Sequence, residues 1–386
     1  MRLVPPIAVP VGLADIAASI VPREPGIAAF RDALSSSAGF PTAELFPSGR
    51  AALAAWLATR KSTDGAAVAI PAYTCWSVPA SAVRAGLRVR LVDIDPLTLD
   101  FDHDALFAAV SEPLAAVVAA HLFARSSDIE GVCALVSARA PGTIVVEDCA
   151  QAWPGASPSP ADAVLLSFGR GKPLPLGGGG AVLHRGRPLD PGREKSSTGL
   201  AGAVVFASTR FLAHPVSYRA LEALPFLGVG TTVYDPGFPM RGSLHGWQAR
   251  LGCRTLSELP LWAERRTAHA RRLADRIGAI PGWTITKPAG AEGPLRLPVL
   301  APSRGARDAV SKALRRRGVA SSAMYPGTLA DIPSLRPHVI NPDARLSGAT
   351  EVAARILTLP VFPTLTQDGV DGIAAAFEHA VVEAGR

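Results

Sequence analysis

The chain has 386 residues, of which 48% are hydrophobic and 18% charged, a balance that favours a globular enzyme with two domains and excludes a disordered or fibrous protein. Its net charge of +7 favours anionic ligands, but no dense basic run with interleaved aromatic residues predicts binding to nucleic acid. The wide spacing of the four cysteines matches no zinc motif or disulfide framework, so we expect reduced thiols and no metal. No apolar stretch is long enough to span a bilayer, and we expect a cytoplasmic protein.

Short apolar runs alternate with helical patterns along the first two-thirds of the chain. Buried strands are predicted at 66–70, 89–92, 115–120, 144–146 and 163–166, with helices between them, for example at 77–85 and 129–138. Strands without polar alternation, separated by helices, indicate an α/β fold with a mainly parallel sheet that is covered on both faces.

The C-terminal third predicts a second, smaller α/β unit. It contains an apolar strand at 296–300, a helical pattern at 306–316 and a further apolar run at 319–324. We therefore predict an N-terminal arm at 1–24, a large domain at 25–240 and a small C-terminal domain at 241–386.

Two motifs in the large domain indicate a pyridoxal phosphate site. Lys172, one of only five lysines among 39 basic residues, follows Ser167 by five positions and precedes four glycines at 177–180. Asp148 ends an apolar run, and Gln151 follows it. A lysine can bond covalently to the cofactor aldehyde, and a carboxylate at a strand end can keep a pyridine nitrogen protonated. The glycine run lacks the spacing of a dinucleotide fingerprint, and we expect it to let backbone pack closely against a cofactor or a neighbouring subunit.

Other polar residues are predicted to join this site. His121 and Ser167 follow predicted strands, as Asp148 does, and ligands of parallel sheets lie beyond the carboxyl ends of the strands. Ser48 and Gly49 precede a helical pattern whose N-terminus offers free N–H groups to an anion. The alternatives are helix caps for the two serines, and a cap or a surface carboxylate for Asp148.

The ordered motifs resemble the DegT/StrS sugar aminotransferases, a branch of the fold type I pyridoxal phosphate enzymes. The resemblance covers nearly the whole chain and is carried by Ser48-Gly49, Pro71-Ala72-Tyr73-Thr74, His121-Leu122, the segments 147–152 and 167–180, Tyr325-Pro326 and the segment 359–366. It implies a large domain with a mainly parallel sheet of the seven-stranded type, a smaller C-terminal α/β domain and a homodimer.

The resemblance also implies roles for individual residues. Lys172 is the cofactor-bonding lysine, Asp148 is the partner of the pyridine nitrogen, and Gln151 lies near the ring hydroxyl. The remaining implied cofactor-binding residues are Ser48, Gly49, Arg50 and Ser167 at the phosphate, and Cys75 and Trp76 near the ring. The implied substrate-binding residues are Tyr73, His121 and Tyr325.

The implied activity is transfer of an amino group from glutamate or glutamine to a keto group, on a nucleotide-linked keto-sugar of polysaccharide or secondary-metabolite biosynthesis. The alternatives are another pyridoxal phosphate reaction, such as a dehydration in which relatives replace the lysine with histidine, and a non-catalytic regulatory relative. Two departures from the family pattern are Gly178 in place of a glutamate and Cys75 in place of the aromatic residue that stacks on the ring. The apolar segment 199–239 and the glycine run are candidates for a subunit interface, with contact to a membrane surface as the alternative for that segment.

Overall fold

The computed structural model of the protein describes residues 4–22, 26–60, 66–124, 127–155, 158–191, 199–212, 233–286 and 292–385. In this part of the chain a seven-stranded sheet lies between helices, which confirms the predicted α/β fold. Its strands are β1 (Thr42–Phe46), β2 (Ala67–Pro71), β3 (Arg88–Val92), β4 (Ala116–Ala120), β5 (Ile144–Asp148), β6 (Ala163–Ser167) and β7 (Gly180–His184).

The sheet order is β1-β7-β6-β5-β4-β2-β3, and the five strands from β6 to β3 are mutually parallel. β7 pairs antiparallel with both β6 and β1. The chain passes from β2 to the edge strand β3 and returns to β4 on the other side of β2, so a topological switch point lies between β2 and β4. A ligand cleft is therefore expected where these two strands end.

Helices cover both faces of the sheet. Those of the first two-thirds of the chain are α1 (Leu13–Ile20), α2 (Ile27–Ala38), α3 (Gly49–Ala58), α4 (Ser77–Arg84), α5 (His103–Ala109), α6 (Ile129–Arg139) and α7 (Leu200–Leu212). Short polar side chains start several of them. Asp102 accepts the Ala105 N–H at the start of α5, and Asp128 accepts the Gly131 N–H at the start of α6. These side chains satisfy backbone donors that have no partner inside the helix.

The C-terminal part forms a smaller unit around a three-stranded antiparallel sheet of order β10-β9-β8. The elements after residue 240 are α8 (Gly246–Thr255), α9 (Leu259–Ile277), β8 (Thr284–Ile285), β9 (Arg296–Leu300), α10 (Arg304–Arg316), α11 (Ser347–Arg355), β10 (Ile356–Pro360) and α12 (Gln367–Ala384). The predicted apolar run at 319–324 forms no strand there. It makes only isolated bridges, from Val319 to Val4 and from Ser322 to Thr358.

Packing crosses the predicted domain boundary at residue 240. Trp247 of α8 and Trp262 of α9 are buried with Leu45 and Phe168 in one apolar cluster on the large sheet. The predicted N-terminal arm is also packed, because Ile16 of α1 joins that cluster and Val4 joins the core of the C-terminal unit. The domain limits stay a prediction, and α9 reaches from one core to the other.

The apolar segment 199–239 is described only in part. α7 carries exposed Leu200, Val204 and Val205, whereas residues 213–232 lie outside the described residues. No helix in the described ranges is both long and apolar enough to cross a membrane.

Candidate active site

A cleft lies at the carboxyl ends of the parallel strands, with an empty volume of about 730 Å³ that includes the space at its open mouth. His121 follows β4, and Asp148 and Ser167 are the last residues of β5 and β6. All three line the cleft together with Lys172, so the convergence predicted from strand ends is present. The described residues that line it are Ser48, Gly49, Arg50, Leu53, Thr74, Cys75, Ser77, Val78, Ser81, Ala120, His121, Leu122, Asp148, Ala150, Gln151, Leu165, Ser167 and Lys172.

One end of the cleft, formed by Ser48, Gly49 and Ser167, is shaped to bind an anion and is called the anion cradle. Ser48 is the N-cap of α3, and its Oγ accepts the Ala51 N–H at 3.2 Å. A Cβ placed on Gly49 would lie 3.0 Å from the Ser167 Cβ, so the first turn of α3 and the end of β6 approach each other closely. Free N–H groups and the positive end of a helix dipole, flanked by two hydroxyls, favour a phosphate group.

The glycine run packs against this cradle. Gly180 pairs with Ser167 in β6 and with Phe46 in β1, and a Cβ on Gly180 would lie 2.5 Å from Gly49 Cα and 2.8 Å from the Leu166 carbonyl oxygen. Gly178 has φ of 149°, a conformation that residues with side chains rarely adopt, so a glutamate there would be strained. The run therefore packs closely against the cradle of its own chain, and its contact with a cofactor or a neighbouring subunit stays a prediction.

We expect Gly180→Ala to displace Gly49, because the added methyl group meets backbone atoms that have no rotamer to change. Overpacking of this kind costs about 1–3 kcal/mol of stability, and we expect affinity for pyridoxal phosphate to fall at least about tenfold. Thermal unfolding and a cofactor titration measure the two effects. Gly305→Ala is the matched control, since Gly305 is exposed in the first turn of α10 and its added Cβ would approach only the Ser303 Oγ, at 3.9 Å. Unchanged cofactor affinity of Gly180→Ala would contradict this account of the cradle.

Asp148 is a buried carboxylate facing the cleft. Its Oδ1 accepts the Ala150 N–H at 2.9 Å. Burial raises the pKa of Asp148, and the hydrogen bond from the Ala150 N–H and the positive charge of Lys172 offset part of that rise. A carboxylate in this position is stabilised by a cationic N–H group placed in the cleft.

His121 lines the cleft with both ring nitrogens already engaged. Its Nδ1 accepts the Ser127 N–H at 3.1 Å, so the neutral ring carries its proton on Nε2 and donates it to Glu147 Oε1 at 2.8 Å. Cys149 donates to the same oxygen, and these groups contact one another directly as a buried hydrogen-bonded cluster. These two hydrogen bonds hold the His121 ring in one orientation, in which it lines the cleft.

Three residues expected in the site are not part of its described lining. The described residues that line the cleft do not include Tyr73, Trp76 or Tyr325. Tyr73 and Tyr325 are buried and pack edge to face, with ring centroids 5.4 Å apart. Trp76 precedes α4, and its buried Nε1 has no hydrogen-bond partner among the described residues. Cys75 lines the cleft without an aromatic side chain to cover a ring.

Sequence reasoning missed Thr74 and Ser77. Both lie within two residues of Cys75 in the segment that follows β2, and both line the cleft. Thr74 stood inside the Pro-x-Tyr-Thr motif, and Ser77 is the first residue of α4. A signal for both was available, because this loop follows the strand at the switch point.

The cleft fits pyridoxal phosphate. The cradle at Ser48, Gly49 and Ser167 suits its phosphate, and Lys172 provides an amine for its aldehyde. The buried Asp148 suits a protonated ring nitrogen, and apolar side chains such as Leu122 and Leu165 line the same space. The donor set therefore matches the separate chemical groups of this cofactor.

Comparison with known proteins decides the family. The profile of the DegT/DnrJ/EryC1/StrS aminotransferase family matches residues 19–378. The chain belongs to this family. It is thus a pyridoxal-phosphate-dependent aminotransferase, as the motifs predicted.

Two curated relatives of this aminotransferase align over most of their length. The pleiotropic regulatory protein of Geobacillus stearothermophilus is 24% identical over 82% of this chain and 79% of its own. The UDP-N-acetyl-3-dehydro-alpha-D-glucosamine 3-aminotransferase of Acidithiobacillus ferrooxidans is 25% identical over 86% of this chain and 83% of its own. Among solved structures, the PLP form of the putative sugar aminotransferase Spr1654 from Streptococcus pneumoniae has a TM-score of 0.76 and 17% identity, with both chains covered completely, and it confirms the fold.

Proposed function

We propose that this aminotransferase transfers the amino group of glutamate or glutamine to a keto group on a nucleotide-linked sugar, in polysaccharide or secondary-metabolite biosynthesis. The observation that carries the proposal is that one open cleft brings together Lys172, Asp148 and the anion cradle. The relative from Acidithiobacillus ferrooxidans is named for a UDP-linked keto-sugar, which supports this class of acceptor. The net charge of +7 favours a diphosphate-bearing substrate.

The proposed roles follow from where each group lies. Pyridoxal phosphate, when bound, supplies an electron sink and carries the amino group from one substrate to the other. Lys172 would hold the cofactor at its aldehyde, and its amine would move the proton at the α-carbon of the donor. Asp148 would keep the ring nitrogen protonated. Ser48, Gly49 and Ser167 would hold the phosphate by hydrogen bonds, and Gln151 would face the ring.

Arg50 stands at the mouth of the cleft. Its guanidinium lies 4.9 Å from the centre of the Phe238 ring and 3.8 Å from the carboxylate of Asp235, and its side chain is partly exposed. A cation held in this way beside the cradle suits the cofactor phosphate or the diphosphate of an incoming substrate. We also propose a homodimer in the cytoplasm, by analogy with fold type I enzymes that complete their sites at a two-fold interface.

An isotope experiment tests the proposal. Purified protein with pyridoxal phosphate is incubated with ¹⁵N-labelled glutamate or glutamine and with UDP- and dTDP-linked keto-sugars. Mass spectrometry is expected to find ¹⁵N in the amino-sugar product of at least one acceptor, and Lys172→Ala is expected to give none.

Labelling of only free keto-sugars or cyclic ketones would overturn the nucleotide-linked acceptor. A cofactor-loaded protein that labels no ketone would instead favour the regulatory alternative, which agrees with the name of the Geobacillus stearothermophilus relative, a pleiotropic regulatory protein.

A further inference from the structure

The side-chain amide of Gln151 is held at both ends. Its Oε1 accepts the backbone N–H of Phe123 at 3.2 Å, and its Nε2 donates to the hydroxyl of Tyr325 at 2.8 Å. A backbone N–H can only donate, so the reversed amide would place two donors against each other at Phe123. One orientation therefore satisfies both contacts. Gln151 lines the cleft, and Tyr325 is the one acceptor of its Nε2 among the described residues, so the second hydrogen of Nε2 is available to an acceptor in the cleft.

Tyr325 is built into this arrangement from behind the cleft wall. It is 4% exposed, and its hydroxyl accepts the hydrogen bond from Gln151 Nε2. The Tyr73 hydroxyl donates to the carbonyl oxygen of Ala323, two residues before Tyr325, at 3.4 Å. Burial raises the pKa of Tyr325 well above its usual value, so the hydroxyl stays protonated at any working pH.

Both segments that reach the Gln151 amide contain a non-glycine residue of positive φ. Phe123, which supplies the N–H, has φ of 63°, and Met324, which precedes Tyr325, has φ of 53°. Leu99 is the only other such residue in the described parts of the chain. This conformation is unfavourable for residues with side chains and persists where the surroundings enforce it. Here the Leu295 N–H binds the Phe123 carbonyl at 2.8 Å, and Ser322 Oγ accepts the Met324 N–H at 3.0 Å.

We propose that Tyr325 is a positioning residue that acts through Gln151, holding the amide so that its NH₂ group points into the cleft as a donor to the ring oxygen of the cofactor. The inference rests on the proposed place of Gln151 beside the ring. It assigns Tyr325 no contact with substrate. A donor at this oxygen stabilises its deprotonated form, so loss of the donor weakens binding and raises the pKa of the bound ring.

Binding of pyridoxamine phosphate to the cofactor-free protein tests this inference without any turnover, because this form has the same ring oxygen and does not bond to Lys172. Its dissociation constant is measured by calorimetry, and the pH midpoint of the bound ring is measured by absorbance. We expect Tyr325→Phe and Gln151→Ala each to raise the dissociation constant about tenfold and to move the midpoint to higher pH. The double variant is expected to match Gln151→Ala, because Tyr325 acts only through the amide.

Tyr234→Phe is the matched control. The Tyr234 hydroxyl is also buried, burial raises the pKa of Tyr234 to about 12, and this hydroxyl has no hydrogen-bond partner among the described residues. We expect the dissociation constant of this variant to stay within about twofold of the unchanged protein. If Tyr325→Phe does not fold, Tyr73→Phe takes its place, since it removes the hydrogen bond to the Ala323 carbonyl oxygen and so loosens the backbone that carries Tyr325. We expect this variant to raise the dissociation constant by a smaller factor, and to add nothing to the effect of Gln151→Ala in the combined variant.

The outcomes separate the inference from the proposed function. Unchanged binding by Gln151→Ala would remove Gln151 from the ring, and the inference would fall with it. Weaker binding by Gln151→Ala with unchanged binding by Tyr325→Phe would overturn the positioning role alone. Effects that multiply in the double variant would show that Tyr325 contacts the ligand directly, which also overturns it.

Discussion

Lys172→Ala is expected to lower transamination by at least about 10⁴-fold, since in the proposed mechanism this side chain provides both the covalent bond to the cofactor and the proton transfer. Noncovalent binding of the cofactor phosphate is expected to survive, because the cradle at Ser48, Gly49 and Ser167 is separate from the lysine. In the unchanged protein, borohydride reduction is expected to fix the cofactor on Lys172, and peptide mass spectrometry identifies the labelled lysine.

Lys312→Ala is the matched control for this result. Lys312 is exposed on α10, in the C-terminal unit, and does not line the cleft. Turnover of this variant is expected to stay within about twofold of the unchanged protein. A cofactor label on a peptide without Lys172, or full activity of Lys172→Ala, would reject the assignment of the lysine.

Asp148→Asn is expected to lower turnover by about 10²–10⁴-fold, because an amide does not keep the ring nitrogen protonated and the electron sink weakens. Steady-state kinetics on saturating donor and acceptor measure the loss. The amide oxygen can still accept the Ala150 N–H, so we expect the backbone of the site to remain in place.

In the cofactor-free protein the same substitution is expected to raise the stability of the fold, although it lowers turnover. Burial raises the pKa of Asp148, so the folded state holds this proton more tightly than the unfolded state. The ionised carboxylate therefore destabilises the fold as the pH rises through and above the ordinary carboxyl range. We expect Asp148→Asn to abolish this loss, and its thermal unfolding temperature without cofactor to exceed that of the unchanged protein at pH 7 but not at pH 3.

Asp128→Asn is the control, because this exposed residue caps α6 and asparagine caps helices equally well. Its turnover and stability are expected to be unchanged. If Asp148 were only a cap, its replacement would leave turnover nearly normal, and that result would reject its role at the ring.

Most of the site could be predicted from the sequence because its signals are local. The carboxyl end of a buried parallel strand places the next polar residue at the ligand edge, which brings His121, Asp148 and Ser167 together on β4, β5 and β6. A serine before a helical pattern marks the N-terminus of α3 in the same way. Lys172 lies in the loop after β6, so the same rule places it at the ligand edge of the sheet.

The sequence by itself therefore determined the strand–helix alternation, the cofactor chemistry and the residues at strand ends. Only the tertiary structure decided that Gly180 starts an antiparallel strand between β1 and β6, and that the run 319–324 does not enter a sheet. It also decided that Tyr73 and Tyr325 stand behind the cleft wall. These outcomes depend on contacts between residues far apart in the chain, such as Gln151 with Tyr325, and a local pattern does not specify which side of a wall a buried tyrosine occupies.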